Sequence, residues 1–581
     1  MIVGTPKFDA ALDKILSGLT PHLRDCVQKD TSPHCEKKFK ITDEDIEFLK
    51  LLRVPPPKLC PTCRKQRRLS FFNWTRFFKR PCDAPGHSEQ VIASVSLDCP
   101  FPVVDIPYYQ SADFDPTLTG SVPDINKSFR SQLYELRKRV PLPSIVQDAS
   151  NVNSEYSMGG RSSKNVYYST GVFRSEDILY SNGVLDCHEC AEMLFVRKSD
   201  RVYEAIKSDR LSNSSYIYFS RDCIDSIFLF DCRNCSNCFG CVNLRNKNFC
   251  FFNEQLSRNG YIEQLKKIDT GDRNVIRAMQ ERFWKFVRSE PLRASQNVSA
   301  EDSQGVYIAR SKNCCEVADA NESERVRHSE SVLGHHDSMD VSVSGGHSHH
   351  LYETANVGSE SSAVKFSCVS KFVSDSEFLL NCKYCQNCFG CVGLENKSFH
   401  IFNKPYEPEE YWNIVDGIKC AMLERGEYGA GIPISFSPYG YNNSFAHVTY
   451  PCSPEVVARL GGYWQDESES NVGDIPTLAS GEVVSSIDDV TDDITARAIL
   501  SERSGRPFRI TPQELALYRK LRIPVPSLHP YERMEDRIKL FGCYKVHQTV
   551  CARCGKAIYS ALDPAQGFTM YCDNCYTAEV V

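Results

Sequence analysis

SIFLFDCRNCSNCFGCVNLRNKNFCFFN (Ser226–Asn253) recurs as SEFLLNCKYCQNCFGCVGLENKSFHIFN (Ser376–Asn403) at a constant offset of 150 residues. Upstream of each copy lie short β-rich pieces: NVYYS, DILYS, EMLFV, YIYFS and IFLF in the first half, and GVYIA, DVSVS, HHLYE, AVKFS and EFLL in the second. Many short strands without long helical patterns between them predict a mainly β centre, duplicated and built as a parallel β-solenoid. The recurring Asn, Ser and Cys read as ladder positions at repeated turns; an antiparallel β-sandwich is the alternative. A helical appendage follows each half, over residues 261–267 and 274–288 after the first and 409–425 after the second.

Inside the repeat, Cys232, Cys235, Cys238 and Cys241 return as Cys382, Cys385, Cys388 and Cys391. Such runs invite an iron–sulfur reading, but the ferredoxin pattern has three residues before its last cysteine and a following proline, and both are missing here. The other reading is that cysteine, small and commonly buried, fills inward positions of a narrow solenoid. His335, His336, His347, His349 and His350 crowd GHHDSMDVSVSGGHSHH, where an exposed Gly/Ser-rich loop is expected and a metal or pH-sensitive site is the alternative. Asp225 and Asp375, and Asn246–Lys247 and Asn396–Lys397, occur in both halves. Turn chemistry accounts for them, and duplication argues against a single active site.

A second duplication joins the ends. FKITDEDIEFLKLLRVPPPKLCPTCRKQRRL from Phe39 matches FRITPQELALYRKLRIPVPSLHPYERMEDRI from Phe508 without a gap, at an offset of 469. Each copy opens on a threonine N-cap (Thr42, Thr511) with Asp45 or Glu514 three residues on, the second a full capping-box pattern. The helices must stop before Arg53-x-Pro55-x-Pro57 and Arg522-x-Pro524-x-Pro526.

Cys551-x2-Cys554-x17-Cys572-x2-Cys575 is a zinc-ribbon spacing: two knuckles, four thiolates, and no open position for catalysis. In the first copy Cys82 aligns with Cys551, but Pro85, Val103 and Ile106 stand at the other three places. That copy carries Cys60-x2-Cys63 instead, with Cys26 and Cys35 upstream, a treble-clef-like set in which His34 is an alternative ligand. The second copy has His529 and Glu532 where Cys60 and Cys63 would be, so its equivalent site is expected to be metal-free, with His529 a surface histidine. Two zinc ions are therefore expected.

The 581-residue chain, with 41% hydrophobic and 24% charged residues and 28 cysteines, has no run resembling a signal peptide or membrane span, which points to the cytosol and to thiols rather than disulfides. Its boundaries read as an N-terminal helical segment (1–25), a basic zinc module (26–105), a connector (106–160), β-repeat halves with helices (161–290 and 291–425), an acidic region (426–505) and a second zinc module (506–581). Asp466 to Arg503 carries ten acids against two arginines and reads as a solvated linker. From Arg53 to His87 there are nine Lys/Arg against one acid. Arg64, Lys65, Arg67 and Arg68 on one helix, then Arg76, Lys79 and Arg80, interleave with Phe71, Phe72, Trp74, Phe77 and Phe78. Arg533 and Arg537 repeat Arg64 and Arg68. Such a surface suits phosphates and base stacking; core aromatics with arginines paired to acids, or a protein partner, is the other reading.

FKIT…VPPPKLCPTCRKQRRL, NCFGCVNLRNK and CARCGK…MYCDNCY resemble a group of uncharacterised bacterial proteins with terminal zinc modules around a cysteine-rich middle. The resemblance implies this architecture and brings no activity with it. The expectation is a non-enzymatic zinc-containing scaffold contacting nucleic acid, structured RNA or DNA. The rivals are a solenoid enzyme acting on a polymer and a metal-cluster protein.

Overall fold

In the computed structural model, which describes residues 4–73, 76–466, 475–542 and 545–580, left-handed backbone at every third residue organises the middle of the chain. From Ser162 to Phe252 each third residue has a positive φ, between +45° at Lys207 and +71° at Gly240. The pattern recurs from Tyr307 to Gly346 and from Glu360 to Phe402. Asp225, Asp375, Asn246 and Asn396 all occupy such positions, which Asn and Asp tolerate best among residues with a Cβ. Trp74, Glu467, Glu469 and Asp474 lie outside the described residues.

Along most of each stack the residue after a left-handed position is buried, giving one inward side chain in three, with Lys247, His347 and Lys397 the exposed exceptions: Val166, Val172, Ile178 and Val184, then Cys190, Val196 and Val202, form one apolar column set. A matching set runs through Ile308, Val317, Val326 and Val341 to Cys391. Neighbouring strands pair in parallel, twelve residues apart, as in Glu176↔His188, Asp200↔Ser212 and Arg221↔Arg233. Only at the far ends do antiparallel hairpins appear, Cys250–Phe251 with Glu254–Gln255 and Ser398–Ile401 with Lys404–Pro405. These two stacks are therefore not an antiparallel sandwich.

Left-handed backbone costs an ordinary residue about 1–2 kcal/mol, and the twelve-residue register supplies what offsets it. Like positions of successive rungs meet. Asn165 Nδ2 donates to Asp177 at 2.8 Å, Asn213 to Asp225 at 2.7 Å and Asn234 to Asn246 at 2.7 Å; Tyr216 stacks on Phe228 and Phe366 on Phe378. Inward serines bind the backbone: the Cys232 N–H donates to Ser220 Oγ at 2.9 Å, and Ser220 Oγ donates to the Tyr218 carbonyl at 2.9 Å.

The second stack departs from this register at its start, where Val298 pairs with Ala309 eleven residues on, and at two later places. Between Gly346 and His350, and again at Glu360, the left-handed phase slips by one residue, so His335 pairs with Ser348 and Met339 with Tyr352. The expected histidine loop is instead partly strand, His335–Ser344. His335 is fully buried in the apolar column because it falls on an inward position, while His336, His347 and His349 are exposed.

Helices Arg258–Leu265 and Arg273–Ser289 follow the first stack and Pro408–Glu424 the second. The acidic segment is not a solvated linker over its described part. Thr477–Ala479 pairs with Ala498–Leu500, and Val483, Ile487, Val490 and Ile494 join the main core while the acids between them face outward. Among the described residues no helix is long and apolar enough to cross a membrane.

Replacing Ser220 by Ala leaves the buried Cys232 N–H without its acceptor, and the expected loss is about 1–3 kcal/mol. Urea unfolding of the two proteins checks this, with Ser220→Cys expected to recover part of the difference.

Candidate metal centres and the arginine clamps

Cys60 is the N-cap of helix Pro61–Leu69 and Cys63 lies in its first turn, so the extended, proline-rich approach from Pro55 delivers both thiols to one point. The strand His22–Asp25 ends beside them at Cys26. The Cys60 N–H donates to Cys26 Sγ at 3.3 Å, the Lys37 N–H to Cys35 Sγ at 3.3 Å, and Cys35 Sγ lies 3.9 Å from Cys60 Sγ. At the other end, Cys551 follows strand His547–Val550, Gly555 turns the knuckle at φ +73°, and Cys575 sits in helix Asp573–Val580. The Cys572 N–H donates to Cys551 Sγ at 3.3 Å, and Cys554 Sγ lies 3.8 Å from Cys572 Sγ.

Four sulfurs about 2.3 Å from a tetrahedral ion stand about 3.8 Å apart. Both sets match that spacing, and in each the four Sγ atoms lie within 4.8 Å of one another. Burial alone would raise the Cys551 thiol, but the N–H groups of Cys572, Cys554 and Arg553 hold it down at about 6. Cys26, Cys35, Cys60 and Cys63, and Cys551, Cys554, Cys572 and Cys575, can thus each hold a metal ion. His34 is outside its set; its Nε2 meets the Pro451 carbonyl.

The central cysteines are arranged otherwise. Each occupies an inward position of its stack with its thiol against two carbonyls: Cys232 Sγ lies 3.6 Å from Phe230 O and 3.5 Å from Cys241 O, and Cys385 Sγ lies 3.2 Å from Lys383 O and 3.5 Å from Leu394 O. Cys235, Cys238, Cys241, Cys382, Cys388 and Cys391 repeat this. Among the described residues, none of these eight belongs to a group of three metal-capable side chains within 4.8 Å of one another.

His529 and Glu532 replace Cys60 and Cys63 with hydrogen bonds. His529 caps helix Pro530–Phe541 and Glu532 completes the capping box. The His529 N–H donates to Ser501 Oγ at 3.1 Å, where the Cys60 N–H meets Cys26 Sγ, and Ser501 Oγ donates to Glu532 at 2.5 Å. His529 is half-buried rather than a surface residue; burial, then the arginines around it, push its pKa down to about 3.

The basic helix faces inward. Arg64 Nε meets Asp340 Oδ2 at 2.8 Å, Arg68 Nη1 meets Asp340 Oδ1 at 2.9 Å, and Arg67 Nη2 meets Glu353 Oε2 at 2.5 Å. Arg68 Nε also donates to Ser342 at 2.8 Å, and Lys65 lies 3.5 Å from Glu330. At the other end Arg533 and Arg537 share Glu192, the first at 2.5 Å. The docking crosses over, with the N-terminal module on the second stack and the C-terminal module on the first. Asp340 and Glu192 hold equivalent left-handed positions of their stacks.

The expectation of a phosphate-facing surface is corrected here. Arg64, Arg67, Arg68, Arg76, Arg80, Arg533 and Arg537 are buried, Lys65 is half-buried, and only Lys79 of the nine stands exposed. Arg80 pairs with Asp83 at 2.8 Å and Arg76 lies over the Tyr531 ring; Phe71, Phe72 and Phe77 are core residues. Sequence reading missed Asp340, Glu353 and Glu192 because the two one-residue slips in the second stack break the offset of 150 upstream of them.

The capping-box carboxylates reach the stacks as well. Asp45 Oδ1 meets Arg327 Nη2 at 3.0 Å and His328 Nε2 at 3.3 Å, and His328 Nδ1 faces Glu316 at 2.8 Å; Glu514 accepts from Tyr180 and Tyr518. No protein-family model matches the chain, and no curated protein matches it significantly.

Asp340→Ala strands two buried guanidinium groups, and the expected loss is about 3–5 kcal/mol. Glu192→Ala should do the same at the other clamp, whereas Glu176→Ala, which breaks only the exposed pair with Lys164, should leave the denaturation midpoint unchanged. For His328, burial disfavours the charge, but Asp45 and Glu316 outweigh it and raise the pKa to about 9 from an ordinary 6.5. Its folded pKa lies above its unfolded one, so its contribution is complete below pH 6.5 and lost as pH rises through 9. Unfolding measured across that range should show the decline in the wild type and a flatter profile in His328→Gln.

Proposed function

We propose that this protein is a non-enzymatic zinc scaffold: two β-solenoids of twelve-residue coils, each gripped by the arginine helix of a terminal zinc module, presenting their outer faces to a protein partner. The observation that carries it is the burial of both arginine helices against stack carboxylates, which assigns the basic modules to internal assembly. A three-residue period with four left-handed bends per twelve-residue register is what a narrow four-sided coil requires. Zinc suits two sets of four thiols at tetrahedral spacing with no other donor. The cysteines are free thiols among the described residues, in keeping with a reducing, cytosolic setting.

The outer faces are charge-paired along the rungs: Lys164 with Glu176, Arg174 with Asp186, Arg210 with Asp222 and Arg310 with Glu322. A surface already neutralised rung by rung offers polyphosphate little counterion release. That favours a protein over RNA or DNA.

Elemental analysis of the full chain tests the reading. Cys63→Ser and Cys554→Ser are each expected to lower bound zinc by about one equivalent per chain, a structural ion contributing directly to folding. Iron in place of zinc, or a nucleic-acid affinity in filter binding that falls steeply with salt, would overturn it.

A further inference from the structure

The hairpin of the N-terminal module copies the one that carries the C-terminal cysteine ribbon. Phe78–Pro81 pairs antiparallel with Gln90–Ala93, as His547–Val550 does with Ala557–Ser560, and in both Cys82 and Cys551 come directly after the first strand. The Asp83 N–H donates to Val103 O at 2.9 Å where the Ala552 N–H donates to Met570 O at 2.8 Å. The next strand pairs in parallel with a distant segment in each case, Val103–Val104 with Leu142–Pro143 and Thr569–Tyr571 with Pro291–Arg293. Then comes the closest correspondence. The Asp105 N–H donates to Cys82 Sγ at 3.3 Å, and the Cys572 N–H donates to Cys551 Sγ at the same distance.

Asp105 therefore stands at the place of Cys572, the longer loop of the first hairpin brings His87 to the place of Cys554, and Tyr108 falls where Cys575 would be. The ungapped sequence match gave Pro85, Val103 and Ile106 instead, because the hairpin loop is longer in this copy. Two of the three replacements, His87 and Asp105, converge on Cys82. Cys82 Sγ lies 3.7 Å from His87 Nδ1, His87 Nδ1 lies 2.9 Å from Asp105 Oδ2, and the three donors lie within 4.8 Å of one another. Cys82 is buried, and the Asp105 side chain is only 13% exposed. Asp105 Oδ1 is held by the Tyr108 N–H at 2.7 Å, which leaves Oδ2 toward the cluster, and the exposed Glu89 carboxylate reaches His87 Nδ1 at 3.0 Å.

We propose that Cys82, His87 and Asp105 form a third metal site, of sulfur, nitrogen and oxygen donors, for a divalent transition ion of the zinc or cobalt type. Three protein ligands leave the fourth position of a tetrahedral ion to water or to the Glu89 carboxylate, an open arrangement that the two four-cysteine sets lack. Mixed donors with one thiolate hold such an ion less tightly than four thiolates, so this site exchanges first.

The inference rests partly on the ribbon being a metal site, and the experiment separates the two. Full-length wild type, His87→Gln, Asp105→Asn and Cys554→Ser are purified with zinc present, checked for folding by circular dichroism, and their metal content is measured per chain. His87→Gln and Asp105→Asn are each expected to lose one equivalent relative to wild type, and mild chelation should remove that equivalent from wild type before the rest. In cobalt-exchanged wild type, the first ion exchanged should show the weaker sulfur-to-metal charge-transfer band of a single thiolate. Unchanged metal content in both His87→Gln and Asp105→Asn overturns the third site. If Cys554→Ser loses an equivalent in that case, the ribbon stands alone; if it loses none, the ribbon reading fails as well.

Discussion

The buried pairing of helix arginines with carboxylates at left-handed positions of the stacks holds the rest of the molecule in place. Taking a guanidinium and a carboxylate out of water costs several kcal/mol per ion, repaid only by close geometry and by hydrogen bonds to the remaining donors. Here Asp340 meets one guanidinium with each oxygen, and Arg68 has Ser342 and the His328 carbonyl besides. Two regularities must coincide for this to work. The helix must begin at a fixed point so that Arg64 and Arg68, four residues apart, share a face, and the stack must keep its rungs so that Asp340 and Glu353 lie above one another. The cysteine cluster at the helix start can provide the first, and the ladder of inward serines provides the second.

The crossover gives this pairing its long reach. Arg64 and Asp340 are 276 residues apart, and Tyr180 meets Glu514 across 334 residues. Neither module can complete its charge pairing until the stack at the other end of the chain is built, so local order in the rungs precedes docking. The rungs can order first because their contacts are short, twelve residues at each step. Long-range closure then adds to two preformed surfaces rather than organising them.

That division also marks what could be read in the sequence. Local chemistry was legible: Thr42 and Thr511 cap their helices, both helices stop before Arg53 and Arg522, and the three helices after the repeats fall within a few residues of their expected spans. The terminal cysteine sets came together because spacing within a hairpin or a helix turn is itself geometry. The carboxylates of the clamps were not legible, since two extra residues after Asp340 break its match to Glu192 in the other stack. His335 was missed for the same reason; a histidine at an inward position is indistinguishable in sequence from one in a loop until the three-residue phase is known. Asp105 escaped because a longer hairpin loop displaces it from the ungapped match.

The two modules show that such a clamp forms with or without cysteines at the helix start. At the start of helix Pro530–Phe541 the ligand positions hold His529 and Glu532, and Ser501 Oγ receives the N–H that Cys26 Sγ receives in the other copy. What persists is therefore the backbone donor at the N-cap and an acceptor facing it. A cysteine sulfur and a hydroxyl bonded to the capping-box glutamate are alternative acceptors for the same N-cap donor. Either fixes where the first turn begins, and the arginines four and eight residues after the N-cap, Arg64 and Arg68 or Arg533 and Arg537, keep their direction. Selection on the clamp thus constrains the helix start and the acids beneath it, while leaving the chemistry that secures the start free to change.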